Sequence, residues 1–306
     1  MNTVLVTGGS GLVGSSLKSI KNEYNYDFIF ISSRACNLLD LAETDKLFSI
    51  IKPQYVIHLA ANVGGLYKNM EHGVEMIEDN LQINTNVLKC AKKYSVIKLI
   101  ACLSTCIFPD HLTKNGIIDE SMLHLGPPHE SNAGYAYAKR MLEVQCREYN
   151  KQFGCNFVCV IPTNVYGPND NYNLEDSHVI PGLIHRCYLA RQNETPFIVS
   201  GTGKPLRQFI YSVDLAKLIM FTMENSNETL ILAPPDEYSI GTIAKIIADK
   251  FETNLKFDPS KSDGQYRKTA DNSKLTKLID FKFTPIEEGL ETTINFFIEN
   301  YLIVRK

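Results

Sequence analysis

Residues 3–14 have the sequence TVLVTGGSGLVG, in which an apolar segment leads directly into a glycine-rich turn. Glycines at 8, 11 and 14 give the spacing G-x-x-G-x-x-G, and an amphipathic segment follows them. Such a turn between a strand and a helix lets backbone N–H groups approach a pyrophosphate at the helix N-terminus. A plain strand–helix turn is the alternative, but this context favours a dinucleotide site. We assign seven residues to that site: Gly8, Gly9, Ser10, Gly11, Leu12, Val13 and Gly14.

Apolar segments alternate with amphipathic segments through the first half of the chain. The alternation predicts strands at residues 3–7, 27–32, 55–59, 98–103 and 156–161. It predicts helices at residues 12–22, 41–51, 74–94 and 135–153. Strands that alternate with helices form βαβ units with right-handed crossovers. We therefore expect an α/β fold with a Rossmann-type doubly wound parallel sheet, whose ligands bind beyond the carboxyl ends of the strands.

The composition changes after Pro162. Residues 164–173 are rich in Asn, Gly, Pro and Tyr, which indicates a loop. Further helices are predicted at residues 177–191, 212–224, 241–251 and 286–301. We expect residues 1–164 to form a dinucleotide-binding domain and residues 165–306 mainly a smaller substrate-binding lobe. Part of residues 205–235 is expected to return to the large sheet.

The overall composition excludes several classes of protein. The chain has 306 residues and a net charge of -3, so its bulk charge favours neither nucleic acid nor an anionic membrane. Its longest apolar runs are too short to span a bilayer. The eight cysteines include no C-x-x-C pair, and their spacing with histidine fits no common metal site. We expect no bound metal, reduced thiols and a cytoplasmic location.

The end of the second predicted strand indicates which dinucleotide binds. NAD-binding folds have an acidic residue there for the ribose 2′-hydroxyl, whereas an arginine suits the 2′-phosphate of NADP. Here residues 28–34 are FIFISSR, without a carboxylate and ending in Arg34. Arg34 as an ordinary surface residue is the alternative. We expect NADP(H) as the cofactor.

The chain has a hydroxyl, a phenol and an ammonium group in the order that is typical of sites for tyrosine-based hydride transfer. These groups belong to Ser104, Tyr135 and Lys139. Tyr135 and Lys139 are four residues apart and share one face of a helix. A free tyrosine has a pKa of about 10, and a nearby lysine and the positive nicotinamide ring of the cofactor are expected to lower it. Tyr137 is also nearby but has no lysine four residues later. A tyrosine and a lysine at this spacing are often an ordinary solvated pair on a helix. Their occurrence here after the glycine turn and Ser104, in that order, makes coincidence improbable.

Cys106 and His178 are candidate groups for a second set of proton transfers. If the chain stays extended after the fourth strand, Ser104 and Cys106 point to the same side, because side chains alternate along a strand. A buried strand cysteine is the alternative for Cys106. His178 precedes a predicted helix and has an imidazole that can donate a proton near neutral pH. A capping or surface histidine is the alternative there.

Five cations of the second half could meet a diphosphate: Arg186, Lys204, Arg207, Arg267 and Lys268. Arg207 is the best candidate because it lies in an apolar segment, and most of the others are expected to be surface charges. Asp271 is a weaker candidate for binding a sugar or ribose hydroxyl.

Several further stretches resemble the extended short-chain dehydrogenase/reductase family, whose members act on nucleotide sugars. The resemblance covers nearly the whole chain and is closest to the NADPH-dependent epimerase–reductases of that family. The stretches are residues 60–65 (AANVGG), 104–109 (STCIFP), 162–168 (PTNVYGP), 169–171 (NDN), 177–181 (SHVIP), 201–209 (GTGKPLRQF) and 263–268 (DGQYRK).

The resemblance implies C3/C5 epimerisation and 4-keto reduction of GDP-4-keto-6-deoxy-D-mannose. By position, Ser104, Tyr135 and Lys139 would act in reduction, with Cys106 and His178 as the base and acid of epimerisation. Lys139, His178 and four further residues would complete the NADP site: Pro162, Thr163, Asn164 and Val165. The substrate would contact Arg186, Arg207 and Asp271, and also Ser200, where this family usually has tryptophan. Family members are homodimers, generally paired through the helices expected here at residues 74–94 and 135–153.

Other functions remain as alternatives. Nucleotide-sugar 4-epimerases and 4,6-dehydratases of the family cycle a tightly held NAD, and the missing acid near Arg34 disfavours them. A 4-reductase without epimerisation is possible if His178 is misplaced. A non-catalytic NADP-sensing protein is expected to lose Tyr135 or Lys139, and both are present.

Overall fold

A computed structural model describes residues 1–263 and 265–306, and the side chains of these except at 66, 67 and 113–115. Gly264, within the sequence stretch 263–268 discussed above, lies outside the described residues. Within the described residues, no helix combines the length and apolar character needed to cross a bilayer.

Strands and helices alternate along the first half of the chain and become shorter and less regular in the second half. The strands are β1 (Asn2–Thr7), β2 (Tyr26–Ile31), β3 (Tyr55–His58), β4 (Lys98–Cys102), β5 (Ile117–Ile118), β6 (Phe157–Pro162), β7 (Asn164–Tyr166), β8 (Phe197–Ser200), β9 (Leu206–Arg207), β10 (Phe209–Tyr211), β11 (Leu230–Leu232), β12 (Tyr238–Ser239), β13 (Leu255–Asp258) and β14 (Arg267–Ala270). The α-helices are α1 (Leu12–Ile20), α2 (Leu41–Ile51), α3 (Leu66–Glu71), α4 (Gly73–Lys93), α5 (Asp110–Asn115), α6 (Ala133–Phe153), α7 (Val179–Gln192), α8 (Ser212–Asn225), α9 (Ile240–Phe251), α10 (Ser273–Thr276) and α11 (Ile286–Glu299).

The large sheet has six strands in the order β11-β6-β4-β3-β1-β2, and every neighbouring pair is parallel. The chain moves from β1 to β2 on one side and returns to β3 on the other side of β1. This reversal of direction opens a crevice at the carboxyl ends of β1 and β3, where ligands of such sheets bind. The predicted α/β fold with a Rossmann-type doubly wound parallel sheet is confirmed.

Helices cover both faces of this sheet. Successive side chains of its strands point to opposite faces, and both sets are apolar and buried. Val4 and Val6 of β1 pack in one apolar cluster with residues of α1 and α8. Leu5, between them, packs on the opposite face in a cluster with residues of α2, α4 and α6. Burial on both faces explains why these strands are continuous apolar runs.

The second half has a separate apolar cluster, built from α7, α9 and α11. Short strands lie beside it: β12, β9, β14 and β5 form one small sheet, and β13 pairs with β8, whose Phe197 and Val199 belong to the cluster. These strands of two to four residues were not predicted, because they are too short to show a period-two pattern. Strand β11, at residues 230–232, pairs with β6 in the large sheet. The division of the chain near residue 164 stays a prediction.

Replacing Gly289 with alanine should lower the free energy of unfolding by about 1–3 kcal/mol. A Cβ at this position in α11 would lie 2.9 Å from Cζ of Tyr166. Tyr166 is 1% exposed and its ring packs against Phe209 and Tyr211, so the phenol has no space to move aside. Denaturant unfolding of the two proteins measures the difference.

Gly73→Ala is the matched control. At Gly73, the first residue of α4, no described heavy atom apart from the adjoining residues and backbone of its own helix lies within 4 Å of the new Cβ. The same chemical change should therefore be neutral or slightly stabilising there. Equal losses of stability in both variants would contradict the packing argument.

Candidate active site

A cavity of about 600 Å³ lies at the carboxyl edge of the large sheet. The loops that follow β1, β2, β3, β4 and β6 all contribute to its wall, and so do α6 and the segment before α7. Of the predicted site residues it brings together Gly8, Ser10, Gly11, Leu12, Val13, Gly14, Ser104, Tyr135, Lys139, Pro162, Thr163, Asn164, Val165 and His178.

The glycine turn forms one wall of the cavity and depends on close backbone contacts. Gly8 has φ +69, and a Cβ there would lie 2.8 Å from the backbone nitrogen of Ala60. A Cβ on Gly14 would lie 2.7 Å from Cα of Gly9. No side chain caps α1, whose N-cap residue is Gly11, so its first N–H groups are available to an anion. Gly9 itself is not a lining residue, and its N–H donates to the carbonyl of Ile31 at 2.8 Å.

The segment after β2 lines the cavity without an acidic residue. The lining residues there are Ile31, Ser32, Ser33, Cys36, Asn37, Leu38 and Leu39. Arg34 is exposed and not among the lining residues, but it directly follows Ser33 at the cavity rim. The sequence did not single out residues 36–39 as part of the site.

A buried histidine joins the ends of β1 and β3 to α4. The Nδ1 atom of His58 lies 2.8 Å from Oγ1 of Thr7, and its Nε2 lies 3.0 Å from Oδ1 of Asn84. Burial, reinforced by the charge of Lys139, lowers the pKa of His58 to about 3, so the ring is neutral at physiological pH. Asn84 Oδ1 can only accept, so Nε2 carries the proton and the hydroxyl of Thr7 donates to Nδ1. Sequence analysis missed this contact, although a histidine ending an apolar strand was visible.

Tyr135 and Lys139 lie on one face of α6 and line the cavity, as the spacing predicts. The ammonium group of Lys139, which is 3% exposed, donates to the carbonyl of Cys102 at 2.7 Å and lies 5.8 Å from the Tyr135 ring centroid. Burial raises the pKa of Tyr135 well above its ordinary value, and the nearby Cys106 and Cys102 thiols add to the effect. Burial also lowers the pKa of Lys139.

In the chain by itself the net shift of the Tyr135 pKa is thus upward, and the lowering by Lys139 together with the nicotinamide ring stays a prediction. Burial outweighs the lysine, since both groups lose solvation and Lys139 contacts a backbone carbonyl. The phenol consequently holds its proton at neutral pH. Tyr137 is exposed, is not a lining residue and has the guanidinium of Arg140 5.5 Å from its ring centroid.

The turn after β4 differs from the extended strand end assumed above. Strand β4 ends at Cys102, and residues Thr105–Ile107 form a 3-10 helix, with Ser104 Oγ accepting from the Cys106 N–H at 3.4 Å. Side-chain alternation along a strand is thus the wrong reason for placing Ser104 and Cys106 together. Ser104 lines the cavity, whereas half-buried Cys106 is not a lining residue and lies close enough to Tyr135 to affect its pKa.

Two cations that the sequence did not place here lie at that turn. Arg140, next to Lys139, donates through Nε to the carbonyl of Ile107 at 3.0 Å and through Nη1 to that of Gly126 at 2.8 Å. Lys268 of β14 is half-buried, and burial lowers its pKa while the nearby Cys106 opposes that shift. The sequence named Lys268 only as one of five cations.

His178 lines the cavity from the second half of the chain. It is exposed and is the residue before α7. The same wall includes Asp170, Asn171, Asp176 and Arg305. Residues 169–171 were noted in the sequence without a role, and Arg305 was missed because it follows α11 and belongs to no motif.

The predicted substrate residues lie outside the lining of this cavity. Arg186 donates to the carbonyl of Leu174 at 2.9 Å, and Arg207 donates to that of Gln265 at 2.6 Å. Asp271 accepts from the N–H of Ser273 at 2.8 Å. Ser200 is exposed at the end of β8. Their roles stay predictions.

Comparison with known proteins agrees with this geometry. Residues 4–241 match the profile of the NAD dependent epimerase/dehydratase family. A GDP-L-fucose synthase from Dictyostelium discoideum is 52% identical, with 99% of this chain and 98% of that protein aligned. A probable GDP-L-fucose synthase from Drosophila melanogaster is 45% identical over 100% of both chains.

Among solved structures, a GDP-L-fucose synthetase from Naegleria fowleri bound to NADP superposes with a TM-score of 0.95 at 46% identity. The match covers 100% of this chain and 95% of that chain. The resemblance to nucleotide-sugar enzymes inferred from the sequence is thereby confirmed. The chain belongs to the NAD dependent epimerase/dehydratase family.

Proposed function

We propose that this protein converts GDP-4-keto-6-deoxy-D-mannose to GDP-L-fucose, using NADPH, by epimerisation at C3 and C5 and reduction of the 4-ketone. The main supporting observation is that one cavity joins the glycine turn to Ser104, Tyr135, Lys139 and His178. Relatives named GDP-L-fucose synthase, 45–52% identical over essentially the full length, support the same substrate.

The lining residues fit a bound NADP. The glycine turn leaves no room for side chains beside the uncapped N-terminus of α1, as a pyrophosphate requires. The uncharged end of β2 and Arg34 suit a 2′-phosphate. Residues 162–165 and His178 would complete the site. When bound, NADPH supplies the hydride for the 4-ketone.

In the epimerisation stage, Cys106 would remove the protons from C3 and C5, which the neighbouring ketone acidifies. Ser104 and the protonated phenol of Tyr135 would donate hydrogen bonds to the enolate oxygen. His178, on the wall formed by the second half of the chain, would return a proton to each carbon. Its exposure allows the imidazole to exchange protons with water.

In the reduction stage, Tyr135 would donate its proton to the oxygen at C4. Burial keeps the phenol protonated until the oxygen gains charge, and Lys139 would then stabilise the resulting phenolate. Arg186, Arg207, Asp271 and Ser200 would bind the GDP-sugar.

We further propose a homodimer that pairs α4 and α6, which pack side by side and expose Val74, Tyr137 and Met141. A reducing, cytoplasmic environment suits the eight free cysteines.

A 4-reductase without epimerisation is the second candidate, and the position of Cys106 outside the cavity lining favours it. The two functions differ in the stereochemistry of the product. The experiment with Cys106 below separates them.

Replacing Arg34 with aspartate should weaken NADPH binding by ~2 kcal/mol, or roughly 30-fold, because a charge-assisted contact is replaced by repulsion. Binding of NADH should change little. Fluorescence titration of both cofactors measures the effect. Arg191→Asp, on the last turn of α7, is the control that should leave both affinities unchanged. Equal kinetics of the unmodified protein with NADPH and NADH would sink the assignment.

Tyr135→Phe should reduce turnover by about 10²–10⁴-fold while leaving NADPH affinity nearly unchanged, because only the proton donor is lost. Tyr137→Phe, two residues along the same helix, should behave as the unmodified protein because its ring is exposed. Stopped-flow oxidation of NADPH compares them. If Tyr135→Phe is nearly normal and Tyr137→Phe is inactive, Tyr137 is the proton donor.

In deuterated water, the unmodified protein with NADPH should yield GDP-L-fucose labelled at C3 and C5, as read by NMR of the product. Cys106→Ser should bind NADPH but not exchange these protons, since a serine hydroxyl, unlike a thiol, supplies practically no anionic base at neutral pH. Any reduced product should be the unepimerised sugar. Cys155→Ser, at another half-buried cysteine, is the control that should exchange normally. Normal labelling by Cys106→Ser would remove Cys106 from the mechanism.

A further inference from the structure

A buried carboxylate with a vacant acceptor lies in the wall of the cavity. Asp170 is 4% exposed and is one of the lining residues. Its Oδ1 accepts from the N–H of Asn171 at 2.7 Å. Its Oδ2 is buried and has no hydrogen-bond partner among the described residues. A buried carboxylate oxygen without a donor is costly and rare in folded proteins, which points to a partner that arrives or turns during function.

Three ionisable groups face this carboxylate: His178, Arg305 and Tyr172. Burial raises the pKa of Asp170 to about 6, while the positive charges of His178 and Arg305 oppose that rise. The carboxylate is therefore mostly ionised at neutral pH. Arg305 Nη2 donates to the carbonyl of Asn169 at 2.7 Å, and no described N–H of this guanidinium reaches Asp170 Oδ2.

The backbone around Asp170 is fixed independently of its Oδ2. The N–H of Tyr172 donates to the carbonyl of Arg305 at 2.7 Å, and Asn171 forms a parallel bridge with Arg305. The Oδ1 contact with Asn171 completes this frame. Oδ2 therefore remains for a donor at the same wall, and His178 is the exposed histidine that lines the cavity there and acts electrostatically on Asp170.

We infer that Asp170 is a positioning residue for His178, whose imidazolium donates to the Asp170 carboxylate while its other nitrogen faces the sugar. This inference rests on the proposed epimerisation. In the step concerned, an N–H bond of the imidazolium breaks and a C–H bond forms at C3 or C5 of the enolate. The imidazole becomes neutral and regains its proton from water.

A carboxylate in this place has two effects on the histidine. It fixes which nitrogen faces the sugar, as a hydrogen bond to the other nitrogen does in general. It also stabilises the positive form, so that a larger share of His178 is a proton donor at neutral pH. Removing the negative charge should therefore lower the pKa of His178.

The test compares Asp170→Asn, which keeps the shape and loses the charge, with the unmodified protein. NMR of the chain with labelled histidine follows the titration of His178, identified among the seven histidines by its loss in His178→Asn. We expect the His178 titration to move down by about one pH unit or more. Asp214→Asn is the control, because Asp214 is also buried but has both oxygens partnered by Thr284. It should reduce stability without moving that titration.

The kinetic test uses deuterium exchange at C3 and C5. Asp170→Asn should slow exchange about 10–100-fold, and the alkaline limb of its pH profile should move down by about one unit. NADPH affinity should change less than twofold. In a His178→Asn background, adding Asp170→Asn should cause little further loss, because the two residues act as one unit.

The outcomes separate this inference from the proposed function. An unchanged His178 titration in Asp170→Asn, or exchange losses that multiply in the double variant, would overturn the pairing. If Asp170→Asn lowers the His178 titration but the unmodified protein shows no deuterium exchange at C3 and C5, the pairing stands and the proposed epimerisation is rejected.

Discussion

The close approach of two backbone segments constrains the whole site. Gly8 follows β1, and its Cα lies so near the backbone of Leu59 and Ala60 after β3 that no side chain fits between them. The neutral ring of His58 adds a second connection there, because it accepts from Thr7 and donates to Asn84. These contacts lie at the point where the sheet reverses its strand order, which is where ligands of such sheets bind.

The polar groups at this edge of the sheet lose solvation by water, which makes their charged forms less stable. Lys139 is almost fully buried and has a single hydrogen bond, to the carbonyl of Cys102, among the described residues. Burial shifts the pKa of Lys139 down and that of Tyr135 up, so both ionisations are less favourable than in water. Opposed shifts of this kind are typical of functional sites, where the fold supports groups that would be more stable in solvent.

The sequence predicted the structure correctly where side chains of one kind recur at a short, regular spacing. The helix predicted at residues 135–153 is Ala133–Phe153, and the i, i+4 spacing correctly placed Tyr135 beside Lys139 in the cavity. It failed after β4, where the chain leaves the strand at Cys102 and turns as a 3-10 helix. The local cap by Ser104 is joined there by a distant contact, since Arg140 donates to the carbonyl of Ile107.

Residues that reach the site from far along the chain could not be predicted. Lys268, Asp170 and Arg305 lie on short strands or loops without a periodic pattern, and only tertiary packing brings them near the cavity. The effect of burial on the pKa of Tyr135 was not visible in the sequence for the same reason. Burial is a property of the whole fold, and the sequence shows only the nearest charge.

The contact between Arg305 and the loop at Asn169 spans 136 positions of sequence. A growing chain on the ribosome can assemble the first four strands of the large sheet and form the glycine turn long before residue 305 has been synthesised. The loop with Asp170 cannot take its final shape until that residue has emerged. Nascent chains can therefore form the glycine turn early, while the cavity wall that contains Asp170 and Arg305 is among the last parts completed.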